Sequence, residues 1–453
     1  MMAMSVFKPK TGSKACALLA GPLLVLASQN AAAIGLRDIY ALALDNDATY
    51  LAATAENRAA QELVPQAKAR FLPNVGADAT ISGVRRDIFD TPNVTASEHD
   101  GFFSGSMSLS ITQPIYRKDL LVQITQADTQ TQQSNARFAG ALHDLIFRVA
   151  DRYFAVLGAV DSLEFANAER EAIEQQLTQS QQRFEVGLIA VTDVEEARAG
   201  RDLAVARVIA AETELDGTYE ALREVTGRYL RALDPLGDSM TLVVPEPNNI
   251  DAWTETALEQ NRELEATRLE VTRLRDDIRR VEAGHLPTVD IVGSSGYSWS
   301  SGPDSGNTKT LDTSVGLRLS LPLYQGGLVL SKTRQSQHLH QQALENHERQ
   351  RRATQRLARD SFRGVLSGIS RVNALQQAVR SAESALEAIE AGFQVGTRTS
   401  VDVLNAQREL FSARRDFSSA RYAYILNVLR LKQAAGTLAP EDLAEIDAWL
   451  RRV

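Results

Sequence analysis

Few residues of this 453-residue chain are spaced for covalent chemistry. His338, His340 and His347 offer imidazoles to a metal, but side chains two apart on a helix do not share a face, so these read as solvated helix residues. Asp276 and Asp277 lie among Arg273, Arg275, Arg279 and Arg280, a pattern of charge pairing along a helix. No G-x-S-x-G, H-E-x-x-H or P-loop is present, so the sequence gives no footing to an enzyme. Two other groupings remain. Val186-Gly187-Leu188 is followed by Thr192-Asp193, and Val395-Gly396-Thr397 by Arg398 through Asp402. Each glycine permits a tight, left-handed turn. Arg398 can donate several hydrogen bonds, and Asp193 and Thr192 can accept them. Exposed contacts of this kind are weak, often under about 1 kcal/mol each. The same residues also fit an ordinary solvated helix face with scattered charges.

The elements that position these groups repeat. Phe184-Glu185-Val186-Gly187 returns as Phe393-Gln394-Val395-Gly396, and Asp193-Val194 as Asp402-Val403. Gly227 returns as Gly436, and Pro114-Ile115-Tyr116 as Pro322-Leu323-Tyr324. The offset is about 210 residues throughout, so two halves share one architecture: helix, two strands, two long helices. The expected division is 1–33 as a secretory signal, 34–227 as the first repeat and 228–255 as a linker with an equatorial element. Residues 256–436 form the second repeat and 437–453 a C-terminal equatorial segment. The linker reading rests on Asp234-Pro235-Leu236-Gly237 and on Val244 to Asn249, which holds two prolines.

Hydropathy of period two marks the strands. Phe103, Met107, Leu109, Ile111 and Ile115 alternate with Ser104, Ser106, Ser108, Ser110 and Thr112. Leu311, Val315, Leu317, Leu319, Leu321 and Leu323 alternate with Asp312, Ser314, Arg318 and Ser320. Residues 73–83 and 287–299 alternate more weakly. Two readings compete: a soluble sheet packed on helices, or a membrane barrel wall with a lipid face and a water face. Strand length favours the barrel, because a spanning strand needs about 9–11 residues. The polar linkers at 87–100 and 300–310 and the serine-rich face point the same way. The rest reads as helix. From about Asp119 to Arg183, and again from about Leu328 to Val395, apolar residues recur at spacings of three and four in a narrow stripe. Such a helix runs for roughly 100 Å and packs laterally into a bundle or tube. Four lipid-facing strands cannot leave open edges in a bilayer, so an oligomer is required. Barrels of about eight strands fill with side chains, so three or more chains are preferred for a duct.

The net charge of -8 argues against a nucleic-acid partner, which would need a basic face. Lys8, Lys10 and Lys14, the short apolar run from Ala15 to Ala27, and Ala31 with Ala33 compose a signal peptide, placing the mature start near Ile34. The single cysteine, Cys16, would leave with that signal, so no disulfide or thiolate metal site is expected.

Several stretches resemble the TolC family of outer-membrane export channels. They are AGFQVGTRTSVDVLNAQRELFSARRDFSSARYAYILNVLRLKQAAGTL at 391–438, RFEVGLIAVTDVEEARA at 183–199, GHLPTVD at 284–290 and LPLYQGG at 321–327. The resemblance covers nearly the whole mature chain in order. It implies an α+β membrane protein of three protomers, a homotrimer in outer-membrane lipid. Four strands from each would make a twelve-stranded transmembrane barrel, continued by a periplasmic helical barrel of coiled-coil type. It implies an exit duct for type I secretion or drug efflux, fed by an inner-membrane ABC or proton-driven transporter that chooses the cargo. By the same resemblance, the tips Val186, Gly187, Leu188, Val395, Gly396 and Thr397 dock a periplasmic adaptor. Thr192, Asp193, Phe393, Arg398, Asp402 and Asn405 match positions that hold the periplasmic entrance shut. Two of these depart from the family pattern. Phe393 replaces a tyrosine and cannot donate to Asp193, and Asn405 replaces a second aspartate, leaving one ring of carboxylates instead of two. A non-conducting coiled-coil scaffold is the alternative, and it leaves the four alternating strands without a purpose.

Overall fold

The computed structural model describes residues 34–87, 99–237, 240–301 and 307–451, with backbone only at 86, 87, 99 and 100. The expected signal at 1–33 lies outside the described residues. The first half runs α1 (Leu36–Asn46), α2 (Ala48–Gln61), α3 (Leu63–Ala69), β1 (Asn74–Asp87) and β2 (His99–Tyr116). Two long helices follow, α4 (Lys118–Glu185) and α5 (Val191–Thr226). The second half repeats the order with α6 (Ile250–Gln260), α7 (Arg262–Glu282), β3 (Thr288–Ser300), β4 (Thr308–Ser320), α8 (Leu328–Gln394) and α9 (Ser400–Ala435). A short α10 (Pro440–Asp447) closes the chain. The repeat is close to exact in length: α4 has 68 residues and α8 has 67, while α5 and α9 each have 36. At about 1.5 Å per residue, α4 is roughly 100 Å long. α6 starts at Ile250, inside the stretch read from sequence as linker.

Local chemistry sets the helix ends. Asp47 caps α2 by accepting from Tyr50 N at 2.7 Å, and Asn261 caps α7 by accepting from Leu264 N at 3.0 Å. α5 and α9 both stop at a glycine in the left-handed region, Gly227 at φ 71° and Gly436 at φ 76°. At Gly436 a Cβ would stand 2.3 Å from the Gln260 carbonyl oxygen, so only glycine fits that close approach.

The sheet is a meander in the order β1-β2-β3-β4, all pairs antiparallel. Its register sorts the side chains. Val75 pairs with Ile111 and Ala77 with Leu109, and Met107 faces Tyr297. Ile291 pairs with Leu317 and Tyr297 with Leu311. One face is therefore mainly apolar across all four strands, interrupted by the Ser295–Thr313 hydroxyl pair, 3.0 Å apart. The other carries Asp78, Ser108, Gly296 and Asp312 in one row, and Ser294 Oγ lies 2.9 Å from Ser314 Oγ. Strands of 13 residues extend about 43 Å and cross about 30 Å when tilted. β1 and β4 each pair on one side only, so both edges are open.

The strands run further into the expected loops than hydropathy suggests. β2 begins at His99 and β4 at Thr308, while residues 88–98 and 302–306 lie outside the described residues. Hydroxyl and charged side chains there show no apolar period, yet the backbone ladder continues. β4 instead stops at Ser320, short of the expected Leu323, because Pro322 has no N–H to give the ladder. In β2 the proline at 114 is accommodated by a register shift between Pro114 and Tyr116.

α4 packs on α5 and α8 on α9 as two hairpins, and α4 also meets α7 and α9. The main core lies at the equator. Leu145, Ile146, Val149 and Tyr153 of α4 meet Tyr424, Ile425 and Leu429 of α9, with Leu36 and Ile39 of α1. The connecting segments knit there. Ile34 bridges Leu233, Leu236 bridges Leu450, and Tyr153 Oη donates to Asp234 O at 2.7 Å. No described helix is long and apolar enough to cross a membrane.

Candidate functional site: the tips of the two helical hairpins

The two hairpins turn in the same way. α4 ends at Val186 with φ -94° and ψ 6°, and α8 at Val395 with φ -94° and ψ 4°. Gly187 follows at φ 76° and Gly396 at φ 78°, and neither has a neighbour within 4 Å of a built Cβ. Glycine is required by the dihedral there, not by crowding. Val186, Leu188 and Val395 are exposed large apolar residues, so each tip presents uncovered hydrophobic surface to the periphery. The second tip folds back on Gly392, whose carbonyl accepts from Thr397 N at 2.8 Å, Arg398 N at 3.2 Å and Thr397 Oγ1 at 3.1 Å.

Beyond each tip a carboxylate sits at the third residue of the next helix. Asp193 Oδ2 accepts from Ala190 N at 3.3 Å. Asp402 Oδ2 accepts from Thr399 N at 2.9 Å and from Thr399 Oγ1 at 3.0 Å, while Thr399 Oγ1 lies 3.2 Å from Asp402 N. This is a reciprocal capping box. The Thr399 backbone bond, then the Thr399 hydroxyl, and last the charge of Arg398, hold the Asp402 carboxyl below its ordinary 3.8. Both aspartates therefore have a local duty that the sequence reading did not assign.

Asn405 and Thr192 are exposed. Arg398 is exposed too, and within one protomer it makes no ion pair with Asp193 among the described residues. Phe393 is turned inward. It is 7% exposed and lies under the Arg183 guanidinium, 4.2 Å from its ring centroid, whereas its repeat counterpart Phe184 is 43% exposed. The ring's quadrupole holds the guanidinium on its face, a contact that needs no hydroxyl. The sequence reading did not find Arg183 as its partner. It also missed Ser400, whose hydroxyl is buried against Gln176 and Ser180 of α4. The described residues include no group of three His, Cys, Asp or Glu placed to hold a metal, and His347 Nδ1 lies 3.0 Å from Thr267 Oγ1.

Comparison with known proteins agrees with this architecture. The family profile described as "Outer membrane efflux protein" matches residues 39–228 and 253–437, one segment in each half. The chain is 37% identical over 419 residues to "Outer membrane protein TolC" of Vibrio cholerae, covering 92% of this chain and 94% of that protein. It is 31% identical over 446 residues to "Proteases secretion protein PrtF" of Dickeya chrysanthemi, covering 96% and 95%. The crystal structure of the Campylobacter jejuni CmeC outer membrane channel superposes with a TM-score of 0.76 at 16% identity, over 92% of this chain and 90% of that one. A duplicated strand-pair and long-hairpin unit, with matching profile segments in both halves, places the chain in the outer membrane efflux protein family.

Proposed function

We propose that three copies of this chain close into one outer-membrane exit duct: a twelve-stranded barrel, four strands from each copy, continued by a helical tube in the periplasm. The observation that carries this reading is the sheet itself. Along the four strands most apolar side chains lie on one face and most hydroxyls on the other, and both sheet edges lack partners among the described residues. A bilayer tolerates such a sheet only when it is closed. The chain is an outer-membrane channel protein of the secretion and efflux type, as its relatives are. An inner-membrane transporter, ABC or proton-driven, would load the duct through a periplasmic adaptor seated on Val186, Leu188 and Val395. The name of the protease-secretion relative supports a polypeptide cargo.

At the entrance, Arg398 of one hairpin reaches Asp193 and Thr192 of a neighbouring copy, and Asp402 contributes one ring of carboxylates with Asn405 beside it. Purified protein placed in planar bilayers should conduct, and its mass in detergent should be three times that of the chain. A stable monomer that inserts without conducting would sink the duct reading.

A further inference from the structure

Where the sheet meets the helices, a cavity of about 660 Å³ lies between the end of α7 and the starts of α4 and α8. That volume is in the range of small-molecule sites. Its walls include three cations, Arg117, Arg280 and Lys332, against two carboxylates, Asp119 and Asp277. The same walls carry Leu286, Leu328 and Leu339, which are 39%, 50% and 41% exposed. The cavity thus shows both positive charge and uncovered leucine side chains.

The cations are unequally occupied. Arg280 is held by Asp277, with Nε 2.9 Å and Nη2 2.8 Å from Oδ1. Asp277 Oδ2 also accepts from Ser336 Oγ at 2.9 Å, so this carboxylate is committed to its neighbours. Arg117 has only two long ion pairs, each of 3.9 Å, to Asp119 and Asp290, and its buried Nε has no hydrogen-bond partner. Lys332 is exposed and has neither a hydrogen bond nor an ion pair among the described residues. α8 adds to this. It begins after Gly327, which has no side chain to cap it, and Leu328 and Val329 of its first turn line the cavity. The first turn of a helix presents unpaired N–H groups and the positive end of the dipole. Two weakly paired cations and an uncapped helix start therefore share one space, and an anion seated there would answer all three.

The register shows which side of the sheet this is. Ile291 and Leu317 pair on the apolar face, whereas Asp290 with Arg318, and Thr288 with Ser320, pair on the opposite one. Thr288 and Ser320 line the cavity, and Arg117 reaches Asp290. The cavity therefore lies on the hydroxyl side of the sheet, away from lipid.

We propose that this cavity binds a soluble anionic amphiphile, a phosphate or carboxylate on a short hydrocarbon chain. Arg117, Lys332 and the start of α8 take the head group, and the three leucines take the chain. The walls come from a single copy; only the opening into a lumen rests on the duct reading above.

The probe is hexyl phosphate, titrated calorimetrically into full-length protein in phosphatidylcholine nanodiscs, with empty nanodiscs subtracted. Wild type should bind it, and inorganic phosphate should bind roughly tenfold more weakly for want of the chain. Lys332→Glu should weaken hexyl phosphate by roughly tenfold or more, and Lys332→Arg should restore it. Leu339→Asp should weaken hexyl phosphate more than inorganic phosphate. No binding to wild type overturns the proposal, as does equal binding by wild type and Lys332→Glu. Equal affinity for hexyl and inorganic phosphate overturns the amphiphile and leaves a bare-anion site. A membrane lipid is the other source of such a head group. Native mass spectrometry that finds phosphatidylglycerol retained by wild type and lost in Lys332→Glu, with no binding of hexyl phosphate, overturns the soluble ligand. Conduction in planar bilayers is read separately. Protein that conducts without binding hexyl phosphate overturns only this site; protein that binds it without conducting overturns the duct reading and, with it, the opening into a lumen.

Discussion

Asp402 combines two roles that one substitution can separate. Its oxygen caps α9 through Thr399, and its charge lies just past the second tip turn. Asparagine can accept the same backbone bond without the charge. Asp402→Asn should therefore reduce cation selectivity, read as a shift in reversal potential, with thermal stability little changed. Asp402→Ala should lose both. Because the folded carboxyl sits below its ordinary value, its capping contribution is present above about pH 4 and is lost as pH falls through the folded value. Asp161 has the opposite sign. Burial raises its carboxyl above the ordinary value, and the Tyr422 hydroxyl, donating at 2.7 Å, partly offsets that. A carboxyl raised on folding costs stability as pH climbs past its unfolded value. Tyr422→Phe removes the donor and should destabilise by about 1–3 kcal/mol, more at pH 7 than at pH 4, measured by thermal unfolding.

Among the elements, the strands make the sharpest claim. Leu317 is exposed on the apolar face opposite Ile291, and Ser314 lies on the hydroxyl face opposite Ser294. Leu317→Arg should impair membrane insertion by about 2–4 kcal/mol near the bilayer middle, whereas Ser314→Arg should insert almost normally. Equal defects in a vesicle-folding assay would mean that the faces are reversed. On the same lipid face the Trp299 ring covers Gly105 across the β2–β3 pair; a Cβ there would fall 2.1 Å from the indole. A large aromatic over a bare glycine restores packing that the glycine lacks. Gly105→Val would displace the indole and should slow barrel folding. The helices carry a large apolar core at the equator and, nearer the tips, a much smaller one beside the buried polar side chains Gln176, Ser180 and Ser400.

At the scale of the whole molecule, the even number of strands matters. An up-and-down sheet of four leaves β1 and β4 running in opposite directions, so a neighbouring copy continues the same antiparallel ladder. The equatorial knot ties the chain's distant parts together. α10 buries Leu443 and Ile446 against α1 and α4, and Arg451 N donates to Pro235 O at 2.8 Å. Leu443→Ala should cost about 2–5 kcal/mol and lower the trimer's melting temperature, while single-channel conductance of the surviving assemblies stays unchanged. A change in conductance would mean that the knot also sets the width of the duct.

The sequence alone determined the duplication, the four strands, the segregation of their faces and the two glycine turns. These depend on periodicity and on residues whose backbone freedom is local: glycine at positive φ, proline without an N–H, side chains alternating across a pleat. It misplaced the ends of β2 and β4, because a backbone ladder continues through polar residues that carry no hydropathy signal. It also could not tell which way Phe393 points. The burial of Phe184 and Phe393 differs although their local sequences match, because only Phe393 meets Arg183 from the other hairpin, some 200 residues away. The contact at Ser400 is of the same kind. That Gln176 and Ser180 of α4 face a serine at the start of α9 follows from how two hairpins lie side by side. Contacts between distant segments are set by the packing of whole helices, and no local pattern encodes them.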